Sequence, residues 1–250
     1  MMLSFIRCFK AEFIKKRRNA ILYIHIVLPV LCASLFAGYY HISSWHISAK
    51  ISAYLEVIAA SIPFIIGIIV GGALEIEHNA GGYQILLGTI PSRIASFFGK
   101  LIFLLFCFLA AVALALGLGL FLVLYPVAPF MLYAKALVLL FFTTCPLYVL
   151  HIFVGMKFGK GATLALGIAG SLLSALMCTG LGDGIWKVIP WAWGIRAMDF
   201  TVLSWYDVQY FNQVHSEFAN GMIICACSGV CVLSTCLLWF SRWDGGKSAE

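Results

Sequence analysis

The chain has 250 residues, of which 63% are hydrophobic and only 10% are charged, and its formal net charge is +6. Soluble domains carry about a quarter charged residues, so this composition excludes a soluble globular protein. Continuous apolar runs of about 18 residues or more predict membrane-spanning helices, whereas the strands of a membrane β-barrel alternate apolar and polar residues. We therefore predict an all-α polytopic membrane protein with a single transmembrane domain over residues 1–250.

The first elements are an interfacial helix and the spans that follow it. Over residues 2–16, apolar side chains recur at spacings of three and four, which predicts an amphipathic helix lying in the membrane interface. Six spans follow, at about 20–40, 54–74, 101–124, 132–154, 162–181 and 222–240. Within the second span, Pro63 predicts a kink, and Gly67 with Gly71 predicts the close approach of another helix.

The positions of the basic residues predict the orientation. Twelve of the 16 Lys and Arg residues lie before the first span, after the last one, or in the connections that would face the same side. The positive-inside rule then predicts both termini in the cytoplasm and an even number of spans in the cell membrane. Because the charge follows the ends of the spans, it favours a lipid bilayer as partner and argues against nucleic acid.

The longest segment predicted outside, 182–221, is rich in aromatic and acidic residues. Such a composition predicts short interfacial or re-entrant helices before the sixth span. Candidate substrate contacts in this segment and at the outer end of the second span are Glu56, Trp186, Trp191, Trp193, Asp199 and Asp207. The alternative for each of them is an ordinary place in the interfacial belt.

The sequence contains no motif for catalysis or for a metal ion. HExxH and GxSxG are absent, and almost all of the nine cysteines lie in predicted spans, where they act as small apolar residues. The segment SRWDGGKS at 241–248 lacks the first glycine of a P-loop and is not followed by a helix. We predict no catalytic, cofactor or metal site in this chain, so ATP and Mg²⁺ would be bound by another polypeptide.

A long polar segment, EIEHNAGGYQILLGTIPSRIASFFGK at 75–100, separates the second and third spans and is here called the elbow. Its pattern is Glu75-x-Glu77, Gly81-Gly82, Leu86-Leu87, Pro91, Arg93 and Lys100. This pattern resembles the first cytoplasmic loop of ABC-2-type exporter permeases. The amphipathic N-terminal helix and the outer segment before the sixth span are similar to that family as well.

Within that family, residues 42–69 and the chain length resemble the lantibiotic self-protection permeases. The resemblance implies one membrane subunit of an ABC exporter in a Gram-positive bacterium, paired with a second, related permease and two copies of an ABC ATPase. The complex would expel a lantibiotic-like peptide from the membrane. The elbow would be a coupling helix, and its contacts with the ATPase would come from Glu75, Glu77, Asn79, Gly81, Gly82, Gln84, Pro91 and Arg93.

Other interpretations stay open at this point. The chain could belong to an ABC-2 exporter of a drug, a lipid or a polysaccharide, which composition does not separate from a peptide exporter. An intramembrane enzyme would need polar residues facing one cavity at one depth, and the sequence indicates none. The elbow itself could be a solvated loop without a partner.

Overall fold

The computed structural model describes residues 2–16, 19–88, 93–124 and 129–245, which are 90% helical and contain no strand. The helices are α1 (Met2–Lys16), α2 (Ala20–Ile42), α3 (Ile47–Asn79), α4 (Gln84–Gly88), α5 (Arg93–Leu118), α6 (Phe130–Met177), α7 (Ala192–Tyr206) and α8 (Val208–Arg242). A π-helical segment, Gly119–Leu124, extends α5, and two short 3₁₀ turns, Gly180–Gly182 and Trp186–Val188, precede α7. The all-α prediction is confirmed.

Five helices in the described part of the chain, α2, α3, α5, α6 and α8, are long and apolar enough to cross a membrane. This supports a multi-pass membrane protein. The count differs from the six predicted spans because the predicted fourth span and most of the predicted fifth lie within α6, which has 48 residues.

The long helix α6 reverses its direction at Gly159. That residue has φ 86° and ψ 179°, a conformation that glycine adopts without strain. Nδ1 of His151 lies 2.9 Å from the hydroxyl oxygen of Thr163. In a straight helix, twelve residues would separate these groups by about 18 Å. The two halves of α6 therefore run antiparallel, close to the predicted turn at 156–161.

The second half of α6 packs along α3 at very short range. A β-carbon at Gly67 would lie 2.8 Å from the carbonyl oxygen of Thr163, and one at Gly167 would lie 2.7 Å from that of Pro63. The backbone N–H of Phe64 also donates to the Ser171 hydroxyl at 3.0 Å. Small residues on both helices thus allow their backbones to meet, as the Gly67–Gly71 spacing predicts.

The last helix begins earlier than the sequence indicates. Asp207 accepts a hydrogen bond from the backbone N–H of Tyr210 at 3.0 Å and caps α8, whereas the predicted span starts at about 222. No proline or glycine interrupts residues 208–220, so the helix continues outward without a break. The predicted outer segment is therefore divided between α7 and the first turns of α8.

The helices form a bundle with two distinct ends. One end, here called the elbow end, contains the elbow, which includes the last turn of α3. It also contains the helix α1, the reversal at Gly159 and the last turn of α8. Lys160 and Glu75 form an ion pair there at 2.7 Å, and the rings of Tyr83 and Trp243 lie 5.2 Å apart. The opposite end, called the far end, contains the start of α3 and the two turns that precede α7.

Candidate coupling site and carboxyl cluster

The elbow begins with a tight turn that its glycines make possible. Helix α3 continues to Asn79, after which Gly81, Gly82 and Tyr83 all have positive φ, at 116°, 59° and 68°. Two of these three positions are glycine, which adopts such angles without steric cost. Tyr83 tolerates the conformation with its ring buried against His78 and Trp243. The glycine pair is thus explained by the direction change into the short helix α4.

Several of the predicted coupling residues share one exposed surface. The side chains of Glu75, Asn79 and Gln84 are exposed, as is Gly81, while Gly82 is half-buried. Glu75 keeps 45% of its side chain accessible even though it pairs with Lys160. Pro91 lies outside the described residues. These residues form a polar surface at the tip of the elbow, and their contact with an ATPase stays a prediction.

Arg93 connects the start of α5 to the end of α8. Its guanidinium donates to the carbonyl oxygens of Trp243 at 3.0 Å and Ser241 at 3.3 Å, and it lies 3.4 Å from the carboxylate of Asp244. In this structure Arg93 is therefore engaged within the chain. Together with the contact of Tyr83 on Trp243, it holds two positions within the elbow against the end of α8.

Glu77, unlike Glu75, is buried. Its side chain is 3% exposed, and one carboxylate oxygen lies 2.9 Å from the ammonium of Lys15 and 3.0 Å from that of Lys100. Lys100 also contacts both carboxylate oxygens of Glu12 at 3.1 Å, and Lys16 pairs with the same carboxylate. These five residues, here called the ion network, join α1, the end of α3 and the start of α5. In this structure Glu77 makes internal contacts rather than facing solvent.

On the carboxyl of Glu12, burial and the neighbouring charges act in opposite directions. Burial by itself would raise the pKa of the Glu12 carboxyl, but the ammonium groups of Lys100 and Lys16 outweigh it and lower that pKa to about 2. Burial and the neighbouring charge of Lys100 lower the pKa of Lys16 to about 8. The Glu12 carboxylate is therefore held ionised at neutral pH by the cations packed around it.

Glu12 is the residue of this network that sequence reasoning missed. The spacing of the apolar face of α1 gives a signal for it, because Glu12 lies three residues after Phe9 and next to Phe13. An acid on the apolar side of an amphipathic helix needs a buried cation. The sequence indicates Lys100 only as part of the elbow pattern, because its two carboxylate partners lie 23 and 88 residues away.

At the far end, two of the candidate substrate contacts come together. Ligand atoms of Glu56 on α3, Asp199 on α7 and Cys178 at the end of α6 all lie within 4.8 Å of one another. The Ser52 hydroxyl also donates to Glu56 at 2.5 Å. Two carboxyl oxygens and a thiol are a donor set that could hold Zn²⁺. A proton shared between the two carboxyl groups satisfies the same arrangement without an ion.

Asp199 holds that proton to unusually high pH. Burial raises the pKa of its carboxyl, and the neighbouring carboxyl of Glu56 raises it further, to about 8, against the opposing effect of Arg196. The guanidinium of Arg196 is itself engaged by the Met177 carbonyl at 2.6 Å and by Asp183 at 2.8 Å. The Asp199 carboxyl is therefore largely protonated near neutral pH.

This pair predicts a pH-dependent stability. Between about pH 4 and pH 8 the unfolded chain releases a proton that folded Asp199 retains, so rising pH favours unfolding. Asp199→Asn cannot ionise. We expect its melting temperature in detergent to exceed that of the wild type by roughly 5 °C at pH 8 and by much less at pH 5. The control is Asp207→Asn, which keeps the cap of α8; a gap of the same size there would contradict the prediction.

The other candidate contacts lie in different surroundings. Trp186 and Trp193 are each 1% exposed; the Trp186 indole donates to Glu217 at 3.0 Å and the Trp193 indole to the Lys187 carbonyl at 2.7 Å. Trp191 is half-buried, and Asp207 is exposed at the start of α8. Contact of the two buried indoles with a substrate would require the outer segment to open. Their role as substrate contacts stays a prediction.

The fold and the elbow define a polytopic helical membrane protein with a polar connection built at one end of its bundle. A protein-family model described as ABC-2 family transporter protein matches residues 8–175, which is more than half of the chain. The chain therefore belongs to this family. Membership implies the membrane permease of an ABC transporter, which works with an ABC ATPase. Comparison with curated proteins and with solved structures gives no match.

Proposed function

We propose that this chain is the permease subunit of an ABC exporter that removes a lantibiotic-like peptide from the membrane and so protects the producing cell. Two copies of an ATPase and a second, related permease complete the complex. The chain crosses the cell membrane six times, with the two halves of α6 counting as separate spans, and both termini are cytoplasmic. ATP and Mg²⁺ bind to the partner ATPase.

The charge of the elbow end supports this orientation. The described basic residues at that end include Lys15, Lys16, Lys100, Lys160 and Arg242, whereas the far end has few. Cytoplasmic connections of membrane proteins carry an excess of Lys and Arg, and this excess supports a cytoplasmic elbow end. The reversal at Gly159 supports six passes, because each half of α6 is about 18 residues or longer and can span the hydrocarbon core.

The observation that carries the proposal is the connection between the elbow and the bundle. Glu75 is exposed on the last turns of α3, and Glu77, two residues further on, is fixed by cations from α1 and α5. A force applied to the surface of the elbow thus reaches three helices through one buried network. Such a rigid connection is what a coupling element needs to move spans when the ATPases close.

Charge reversal at Glu75 tests the coupling surface. Glu75→Lys puts a cation where the ATPase would meet an acid, and we expect recovery of the ATPase with the tagged chain to fall roughly tenfold. The measurement is purification from native membranes in mild detergent, followed by mass spectrometry of the proteins that come with the chain. Protection of intact cells against the peptide should fall in parallel.

The matched control uses the other member of the same ion pair. Lys160→Glu removes the contact with Glu75 but leaves that acid in place, so the ATPase should still be recovered at close to the wild-type level. Equal losses in both variants would assign the effect to the broken ion pair. Recovery of wild-type chain without any ATPase would contradict the exporter proposal itself.

The peptide substrate rests on the resemblance of residues 42–69 to self-protection permeases and on the exposed acids of the far end, such as Asp207 and Asp183. These acids offer opposite charge to a cationic peptide. Cells that lack the gene should become sensitive to the cognate lantibiotic and keep normal resistance to unrelated drugs. The reverse pattern would favour an exporter of a drug, a lipid or a polysaccharide.

A further inference from the structure

An apolar cavity of about 400 Å³ lies between α2, α3 and α5. Two contacts between α2 and α3 frame it. At the elbow end, the Ile21 side chain reaches Gly72, and towards the far end, the rings of Phe36 and Tyr54 pack edge to face at 5.2 Å. Between these contacts, side chains of α2 and α3 line a cleft, and residues 108–115 of α5 form its floor. Ligand sites in proteins have volumes of this order.

The cavity contains one buried polar atom that has no partner. Nδ1 of His25 lies 2.7 Å from the Ile21 carbonyl oxygen. A carbonyl oxygen only accepts, so Nδ1 carries the proton and donates. An imidazolium would be unpaired in these apolar surroundings, so the ring is neutral and its Nε2 is an acceptor. His25 is 8% exposed, lines the cavity, and its Nε2 has no hydrogen-bond partner.

The cavity opens sideways rather than towards water. Its mouth on α2 and α3 is lined by large apolar side chains. Among them, Leu31 is 51% exposed, Leu35 is 65% exposed and Val57 is 46% exposed. In a helix that crosses the bilayer, such side chains face lipid. A ligand would therefore enter from the membrane.

The dimensions indicate what kind of molecule fits. His25 lies near the elbow end of α2, and Phe36 closes the cavity eleven residues further on, about 17 Å along the helix. That length is close to half of the hydrocarbon core, the depth of one leaflet. A ligand would have a hydrogen-bond donor near the membrane surface and one apolar chain that extends towards the bilayer centre.

We propose that this cavity binds a single-chain membrane amphiphile whose head carries a hydroxyl or N–H donor for Nε2 of His25. The head lies in the leaflet on the elbow end, and the chain lies in the cleft along α2. The inference requires only that the helices are in a bilayer, and it does not depend on an ATPase partner or on peptide export.

The test uses the full-length protein in phosphatidylcholine nanodiscs, without ATPase or ATP. Two photoactivatable probes are compared, a long-chain alcohol with a diazirine in its chain and the methyl ether of the same alcohol. The ether fills the cavity equally but has no donor. We expect the alcohol to label the wild type roughly five times more than the ether does, the ratio expected from one hydrogen bond. Peptide mass spectrometry should place the label on α2, α3 and α5 around the cavity.

Two variants distinguish the contribution of the hydrogen bond to His25 from the contribution of the cavity volume. His25→Leu should reduce alcohol labelling to the level of the ether, while Ala111→Trp, which fills the floor, should reduce labelling by both probes. Equal labelling of the wild type by both probes, or label outside the cavity, would overturn the proposal even if both variants failed to fold. Loss of labelling by both probes in nanodiscs that hold two copies of the chain would overturn it in favour of an interface between copies. Because no ATPase is present, none of these results bears on the exporter proposal.

Discussion

Gly67→Leu is expected to lower the melting temperature of the protein in detergent by roughly 10 °C. The first carbon of any side chain at this position would lie 2.8 Å from the Thr163 carbonyl oxygen and 3.3 Å from the Leu164 α-carbon. Both are backbone atoms of α6, so no side-chain rotation relieves the overlap. Leucine would force α3 and the second half of α6 apart, and the Phe64–Ser171 hydrogen bond would break with them.

The matched control is Gly38→Leu on α2. No atom lies within 4 Å of the position where its β-carbon would be, and the residue is exposed. The same increase in volume and hydrophobicity should therefore leave the melting temperature within about 2 °C of the wild type. Gly67→Ala and Gly167→Ala should be non-additive, because both residues belong to one contact. Additive effects, or equal effects at positions 67 and 38, would contradict close packing of α3 against α6.

Local sequence patterns predict individual helices and turns, but they do not predict which helices pack against each other. The Gly67–Gly71 spacing predicts a close helix approach, and basic and glycine residues predict the turn at 156–161. Which helix fills the groove depends on the reversal at Gly159, which brings residues about 100 positions apart into contact. Periodicity describes one helix at a time, so it carries no information on such pairings.

The two acids of the elbow show the same limit of prediction from sequence alone. Glu75 and Glu77 are two residues apart and have the same chemistry, which suggested one shared role at the surface. The helix places Glu77 on the side that faces Lys15 and Lys100, while Glu75 faces Lys160. Residues two apart on a helix point in different directions, so one is buried and the other exposed. The burial of Glu77 could be anticipated only by first knowing where α1 docks.

For the far end, the sequence indicates which types of residue gather there, but not which side chains contact one another. Glu56 and Asp199 were singled out as separate candidate contacts, and the structure brings their carboxyl groups together. The last helix begins well before the predicted sixth span, because the polar residues 208–220 continue the same helix beyond its apolar part. Hydropathy detects the part of a helix that can lie in lipid, and α8 is longer than that part.

The ion network gives the second large prediction, for Lys100→Met. The Lys100 ammonium lies within 3.1 Å of the carboxylates of both Glu12 and Glu77, and all three side chains are at most 5% exposed. Methionine keeps much of the volume but leaves the two buried acids without the cation between them. Removing one partner of a buried ion pair costs about 3–5 kcal/mol, so the melting temperature should fall by roughly 10 °C.

Lys15→Met is the matched control, because Lys15 contacts the same Glu77 carboxylate at 2.9 Å but keeps 33% of its side chain exposed. Solvent replaces a partly exposed cation at little cost, and we expect a decrease of about 2 °C. The difference between wild type and Lys100→Met should also depend on pH. The pKa of Glu12 is lowered to about 2 from an ordinary 4.5, so its ionised form stabilises the fold above that ordinary value.

As the pH falls from about 5 towards 2, protonation of Glu12 should remove that stabilisation, and the gap between wild type and Lys100→Met should narrow. Glu12→Gln combined with Lys100→Met should recover part of the lost stability, because one uncompensated buried charge is then absent. Such a recovery would show that α1 is attached to the bundle by charge pairing and not only by its apolar face. A displacement of the elbow would then move α1 together with α3 and α5. A large effect of Lys15→Met with none from Lys100→Met would contradict the assignment of Lys100 as the cation that joins these helices.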